Sequence, residues 1–314
     1  MSARRVLVTG ASGFIGTRTL PKLLARGFEV HAVSRLPQAT SEVVTWHRVD
    51  LSDDDAVAAT VARVRPEVLL HLAWETAHGT YYSTPLNLRH LREGLHLMER
   101  FVANGGSRFV GAGSAAEYDY ASGRDLSEEV TALRPNGLYG VSKKALCDVT
   151  AQLAVQSGVE HVWGRIFFCY GPGESPARAV PRMLRDLDAG VRVPFQPGDG
   201  VRDYLFVDDV AEAFVTLLDS SVQGPVNVAS GIPITLRDFM TRLADLSGHL
   251  GAIDFGAVPQ PAYEPARIVG EVSRLRAAGW LPRHSLDEGL RETITWWRGG
   301  GAGGPARRGP AGGC

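Results

Sequence analysis

The chain has 314 residues, 44% of them apolar and 21% charged, with a formal net charge of -1. That composition is ordinary for a soluble globular protein with room for one large α/β domain and a smaller lobe. The charge balance offers no basic face for nucleic acid or an anionic membrane, and no apolar run approaches the roughly 18 residues of a membrane span.

The first apolar run, Val6-Leu7-Val8, ends at Gly10; it is too short for a signal peptide and reads as a strand. A glycine-rich turn and a helical stretch from Phe14 to Arg26 follow, closed by Gly27. Residues 29–33 and 44–49 read as the second and third strands, with a helix over 53–65 opened by Asp53-Asp54-Asp55, where negative charge suits the helix dipole. Residues 68–73 make a fourth strand, 86–104 a helix, and Arg108 opens a fifth strand; a helix over 138–157 and a sixth strand over 161–168 complete the series. Strands alternating with helices predict βαβ units and a parallel sheet, and their near-continuous apolar runs predict a sheet covered on both faces.

Beyond Gly171, glycine and proline become frequent, with helices expected at 179–189, 207–219, 235–248 and 285–298. Val226–Ala229 reads as a late strand returning to the main sheet. The expected architecture is therefore an α/β, Rossmann-like doubly wound parallel sheet with a smaller interleaved α/β substrate lobe. Residues 1–170 form the dinucleotide-binding domain, 202–230 return to it, 171–298 form most of the second lobe, and the Gly/Pro/Ala/Arg-rich tail 299–314 is disordered. Three widely spaced cysteines, Cys147, Cys169 and Cys314, show neither a metal spacing nor a disulfide framework, so a reducing cytoplasm is expected.

Gly10, Gly13 and Gly16 recur every third residue between the first strand and the first helix. Such a turn lets a pyrophosphate approach the backbone, and the helix N-terminus behind it offers free N–H groups, so Ser12, Phe14 and Ile15 join the glycines as dinucleotide contacts. At the end of the second strand an acid would accept from a ribose 2′-hydroxyl and repel a 2′-phosphate. Ser34 and Arg35 stand there instead. They suit a 2′-phosphate and favour NADP(H) over NAD(H), the other reading of Arg35 being a solvated loop residue. Asp50 and Leu51 border the adenine, unless Asp50 is a plain helix N-terminal acid.

Tyr139 and Lys143 are four residues apart in a predicted helix and share a face. Reduction of a carbonyl needs a proton for the oxygen; a tyrosine supplies it if a nearby ammonium lowers its pKa. Gly10-x-x-Gly13-x-x-Gly16, Ser114 and Tyr139-x-x-x-Lys143 together resemble the extended short-chain dehydrogenase/reductase family, also called the NAD-dependent epimerase/dehydratase family, over about residues 4–298. The resemblance implies that Ser114 hydrogen-bonds the reacting oxygen, that Leu72, Ala73 and Asn87 help hold the cofactor, and that helices 86–104 and 138–157 pair into a four-helix bundle in a homodimer. It reads His71 as a strand-packing residue and Cys169 as packing rather than nucleophilic. Arg202-Asp203-Tyr204 resembles a motif whose arginine contacts a substrate diphosphate; an Arg–Asp structural pair with Asp203 or Asp208 is the other reading. Arg267 is a looser second diphosphate contact, a surface role being its equal alternative, and Val191–Phe195 resembles the stretch that packs on the nucleotide base.

The reaction is less fixed. Family dehydratases carry an Asp-Glu pair after the Ser/Thr, and decarboxylases usually keep its glutamate; here the positions are Ala115 and Ala116. Glu117, displaced by one, is expected to form a polar wall of the pocket. Phe168 and Cys169 stand where many sugar-nucleotide members have an asparagine, which leaves open another carbonyl substrate; Phe168 is taken as a substrate contact. Net reduction of a nucleotide-linked 4-keto-6-deoxyhexose and 4-epimerisation both need only Ser, Tyr and Lys, and the Ser34-Arg35 loop favours the reductase. A non-catalytic NADP-sensing protein is the third reading, disfavoured because Ser114, Tyr139 and Lys143 are all present.

Overall fold

A computed structural model describes residues 3–36, 38, 41–76, 79–261 and 264–301. Most of the expected disordered tail, with Cys314, lies outside these residues.

The first half runs β1 (Arg5–Thr9), α1 (Gly16–Ala25), β2 (Glu29–Ser34), β3 (Val44–Arg48), α2 (Asp54–Val64), β4 (Val68–His71), α3 (Leu86–Ala103), β5 (Arg108–Ser114), α4 (Leu138–Ser157) and β6 (Glu160–Ile166). The second half runs β7 (Phe168–Tyr170), α5 (Ala179–Asp188), β8 (Val193–Phe195), β9 (Val201–Phe206), α6 (Val207–Asp219), β10 (Gly224–Val228), β11 (Pro233–Thr235), α7 (Leu236–Leu246), β12 (Ile253–Phe255), β13 (Arg267–Ile268), α8 (Ser273–Ala277) and α9 (Leu286–Arg298).

Seven strands form one parallel sheet in the order β10-β6-β5-β4-β1-β2-β3. Successive side chains alternate between its faces. Val6, Val8, Val30, Ala32 and Val44 pack with α1 and α6, whereas Leu7, Leu69, Phe109 and Trp163 pack with α2, α3 and α4. Both faces are covered, which is why the strands read as unbroken apolar runs. The strand order reverses between β1 and β4, and in open sheets of this kind a ligand binds beyond the carboxyl ends at that point.

The expected sixth strand, 161–168, is two strands. At Phe167 the chain leaves the main sheet: β6 lies between β5 and β10, while β7 pairs with β9. An apolar run does not reveal a change of partner. In the smaller sheet β9 takes β11 antiparallel and β7 and β13 parallel, and β8 and β12 form a separate ribbon. A core of Tyr170, Phe206, Phe239, Leu290 and Trp297 joins this sheet to α5, α7 and α9. Asp203 does not pair with Arg202; its carboxylate accepts from the Ser230 N–H and hydroxyl and the Gly231 and Gly270 N–H groups, tying β9 to two loops.

Candidate active site

The glycine turn crosses the carboxyl ends of β1 and β4. Gly10 has φ +69°, and a β-carbon on it would lie 2.7 Å from the Ala73 nitrogen and the Leu72 carbonyl carbon. A β-carbon on Gly16 would lie 2.1 Å from the Gly10 oxygen. Both glycines therefore serve close approach of backbone to backbone, while the Gly13 N–H closes the turn on the Gly10 oxygen at 3.0 Å. The N–H groups of Phe14, Ile15 and Gly16 donate to no other described backbone group, leaving a cradle of donors at the head of α1 that fits a pyrophosphate. Gly171-Pro172-Gly173 closes the other wall, held by a 3.0 Å bond from Arg18 to the Pro172 oxygen.

At the adenosine end, the Ser34 hydroxyl lies 3.3 Å from that of Ser12 and accepts from the Leu36 N–H. Arg35 is exposed and reaches Glu75 across the groove at 3.9 Å. Asp50 is not the α2 cap, a role Asp53 takes by accepting from the Ala56 N–H. Asp50 instead binds Ser52 and Arg89, and the Ser52 hydrogen bonds hold its carboxyl below the usual range. Leu51 is half-buried beside it.

Ser114 ends β5, and its hydroxyl accepts from the Ala116 N–H at 3.1 Å, starting a tight turn. A β-carbon on Gly140 would lie 2.3 Å from the Ala116 oxygen. Glycine there lets the first turn of α4 rest on the turn after β5, which brings the Tyr139 phenol beside the Ser114 hydroxyl. Tyr139 is buried beneath Tyr81, Tyr82 and Trp74, which meet its ring edge-on with centroids 5.0, 5.9 and 6.2 Å away. Burial raises the phenol pKa; the Ser114 hydrogen bond and the Arg178 charge oppose that rise.

Lys143 lies one turn further on, donating to the Ala112 oxygen at 2.6 Å, with its nitrogen 4.0 Å from the Trp74 ring centroid. Burial pushes its pKa down to about 7, against the upward pull of Glu117. Lys143 and Tyr139 thus stand one helical turn apart on α4, and the Arg178 charge also acts on the phenol.

Two further expectations change. Asn87 is fully buried; its amide donates to the Tyr81 and Thr84 oxygens at 2.7 and 2.9 Å and its oxygen accepts from Trp74 at 2.9 Å. With both ends used by the protein, it positions the aromatic cover of Tyr139 rather than contacting a cofactor. Glu117 is no pocket wall. It is 0% exposed and accepts from the Ser114 N–H, the Trp163 indole and the Arg165 guanidinium at 2.9, 2.9 and 2.8 Å. The tight turn after β5 carries its side chain into the core. His71 packs inside as expected, bonded to Thr9 at 2.7 Å, and burial pushes its pKa down to about 3.

On the substrate side, Phe168 opens β7 with its ring 5.6 Å from the Arg202 guanidinium. Arg202 is 3% exposed, donates to the Val201 and Pro265 oxygens, and ion-pairs with Glu264 rather than with Asp203 or Asp208. The β13–β9 register sets Ile268 beside Arg202 and Arg267 beside Val201. Arg267 therefore leaves the sheet on the opposite face from Arg202, where it binds Asp125 at 2.6 Å; the second diphosphate contact expected of it is not brought to the site. In the 191–195 segment, β8 is tied to β12 and Arg192 ion-pairs with Asp254. Burial raises the Cys169 thiol pKa, as suits a packing residue.

The sequence reading missed Trp74, Tyr81, Tyr82 and Arg178. Arg178 stacks over Tyr81 at 5.1 Å and donates to the Thr76 oxygen at 3.1 Å. The aromatic residues lie in an aperiodic stretch after β4, where only the clustering of rings offered a signal.

The sequence model of the NAD dependent epimerase/dehydratase family matches residues 6–229. CDP-abequose synthase of Salmonella typhimurium is 26% identical over 308 residues, covering 92% of this chain and 97% of that protein. GDP-6-deoxy-D-mannose reductase of Pseudomonas aeruginosa is 28% identical, covering 94% and 97%. The structure of UDP-glucose 4-epimerase from Thermus thermophilus, solved with NAD, superposes with a TM-score of 0.82 at 30% identity, covering 94% and 99%. The family match begins in β1, ends just past β10 and takes in the glycine turn, Ser114, Tyr139 and Lys143; on that ground the chain belongs to the NAD dependent epimerase/dehydratase family.

Proposed function

We propose that this protein uses NADPH to reduce the 4-keto group of a nucleoside-diphosphate 4-keto-6-deoxyhexose, a dTDP-linked one foremost, in deoxysugar biosynthesis. One observation carries the reading: Ser114 and Tyr139 stand together at the site, while the carboxylate nearest to Ser114 in sequence, Glu117, is locked in the core by Arg165. Removing water or carbon dioxide from a sugar calls for acid–base groups beyond the tyrosine, and alanines occupy the two positions after Ser114. Adding hydrogen across a ketone needs one proton donor and one oxygen-binding hydroxyl. A relative named as a 6-deoxysugar-nucleotide reductase supports the same reading.

A bound dinucleotide supplies the hydride to the carbonyl carbon. Phe14, Ile15 and Gly16 would hold its pyrophosphate through their N–H groups, beside Leu72 and Ala73. Ser114 donates a hydrogen bond to the carbonyl oxygen, and Tyr139 passes its phenolic proton to that oxygen as it becomes an alcohol. Lys143 stands one helical turn behind, where its ammonium can hydrogen-bond the nicotinamide ribose and stabilise the phenolate left behind. The aromatic cover of Trp74, Tyr81 and Tyr82 excludes water and strengthens each of these interactions. On the substrate side, Arg202 is the cation for the diphosphate, exchanging Glu264 for phosphate oxygens. Exposed Leu88, Val141, Val149 and Val155 on α3 and α4 support a homodimer through those helices, and a cytoplasmic location completes the reading.

The test is NADPH consumption with a panel of nucleotide-linked ketoses led by dTDP-4-keto-6-deoxyglucose, with NADH run alongside. Rapid NADPH loss with NADH much poorer is the expected result. No net oxidation, together with NAD held tightly through purification, overturns it in favour of a nucleotide-sugar 4-epimerase. That second reading is supported by the 30% identical UDP-glucose 4-epimerase solved with NAD.

A further inference from the structure

We infer that Arg48, on the edge strand β3, is a second cationic contact for the adenosine 2′-phosphate and a determinant of cofactor choice. The inference rests on the NADP reading above and deepens it.

Register places Arg48 there. In the parallel β2–β3 pair, Ser34 is opposite Arg48, so their Cα atoms are about 4.8 Å apart and their side chains share a face of the sheet. That face is the one covered by α1: Val44 and Trp46, the preceding alternate residues of β3, pack into the α1-side core, and Arg48 continues the series beyond it into solvent. The Ser34 hydroxyl lies at the glycine turn, 3.3 Å from Ser12. It accepts from the Leu36 N–H and the Gln38 amide at 3.2 and 3.1 Å, so toward Ser12 it is the donor, and that hydrogen can turn to a phosphate oxygen instead. Ser34, Arg35 and Arg48 thus stand together at the carboxyl ends of β2 and β3.

The two arginines differ in their engagement. Arg35 is drawn across the groove toward Glu75 at 3.9 Å, and it also acts on Asp50. Arg48 is exposed and forms no hydrogen bond or ion pair with any described residue. A guanidinium held on a rigid strand beside a hydroxyl donor, with no carboxylate of its own, suits a phosphate dianion. A ribose 2′-hydroxyl gives it nothing to neutralise, so its contribution falls on NADP(H) alone.

The experiment is equilibrium binding, independent of turnover. NADPH, NADH, 2′,5′-ADP and 5′-AMP are titrated against the wild-type protein and the Arg48→Ala, Arg48→Gln and Arg35→Ala variants. Arg48→Ala and Arg48→Gln are expected to weaken NADPH and 2′,5′-ADP by about tenfold, the order of one charged hydrogen bond, while NADH and 5′-AMP change by less than about twofold. If the wild type prefers NADPH and both Arg48 variants bind all four ligands normally, the inference fails and the NADP reading stands. Equal weakening of NADPH and NADH also overturns it, assigning Arg48 to the shape of the sheet edge. If the wild type binds NADH as tightly as NADPH, the NADP reading falls and the inference falls with it.

Discussion

On the cofactor side of the cleft, functional groups stand at the ends of long parallel elements: the turn between β1 and α1, the end of β5, the first turns of α4. On the substrate side they hang from short strands of two to six residues, and their charges are spent on one another, Arg202 on Glu264 and Arg267 on Asp125. The contrast has a physical origin. A strand buried on both faces fixes where its last residue points, so a polar group there can be left unsatisfied for a ligand. The short strands here carry ion pairs, with which the diphosphate of the proposed substrate would compete. On the proposed function, catalytic power is built into the first region and substrate choice into the second.

The strongest challenge to this division is Tyr139→Phe. Loss of the proton donor is expected to lower reductive turnover by roughly 10²–10⁴-fold, while NADPH binding, read by fluorescence titration, stays within about twofold. Equal loss of binding would mean that the phenol holds the cleft together rather than doing chemistry.

Glu117 tests where the border runs. Glu117→Ala leaves the Arg165 guanidinium buried without its carboxylate and is expected to cost about 3–5 kcal/mol in urea unfolding. A changed KM with unaltered stability would return Glu117 to the pocket.

A smaller effect follows from Lys143, whose pKa burial sets at about 7. Below that pH the side chain is an ammonium that stabilises the phenolate formed as Tyr139 gives up its proton; above it the charge is gone. Reductive kcat/KM, which reports the free enzyme, is therefore flat below pH about 7 and falls by up to tenfold per unit above it. Lys143→Met should be slow throughout and lack this inflection; an unchanged inflection in that variant would assign it to another group.

The mildest change is expected in the substrate lobe. Glu264→Gln removes the carboxylate that competes for Arg202 and should lower KM for the nucleotide-linked ketose several-fold, on the order of 1 kcal/mol, with kcat unchanged. A raised KM would show that Glu264 positions Arg202 rather than rivalling a substrate phosphate.

Much of the cofactor side was legible in the chain. Period and punctuation located the strands and helices of the main sheet, and Gly10, Gly16, Tyr139 and Lys143 declared themselves by spacing, because turn geometry and helix pitch tie those positions to sequence separation; Ser114 came from the family resemblance. The rest depended on distant partners. The break between β6 and β7 comes from a change of sheet, and the burial of Glu117 comes from Arg165, 48 residues on. The opposed faces of Arg202 and Arg267 come from a strand register. The sequence by itself determined which residues end the strands of the main sheet, since local pattern alone sets that. Only the tertiary structure decided which charges are free to meet a ligand, since a charge is free or spent according to what the fold brings beside it.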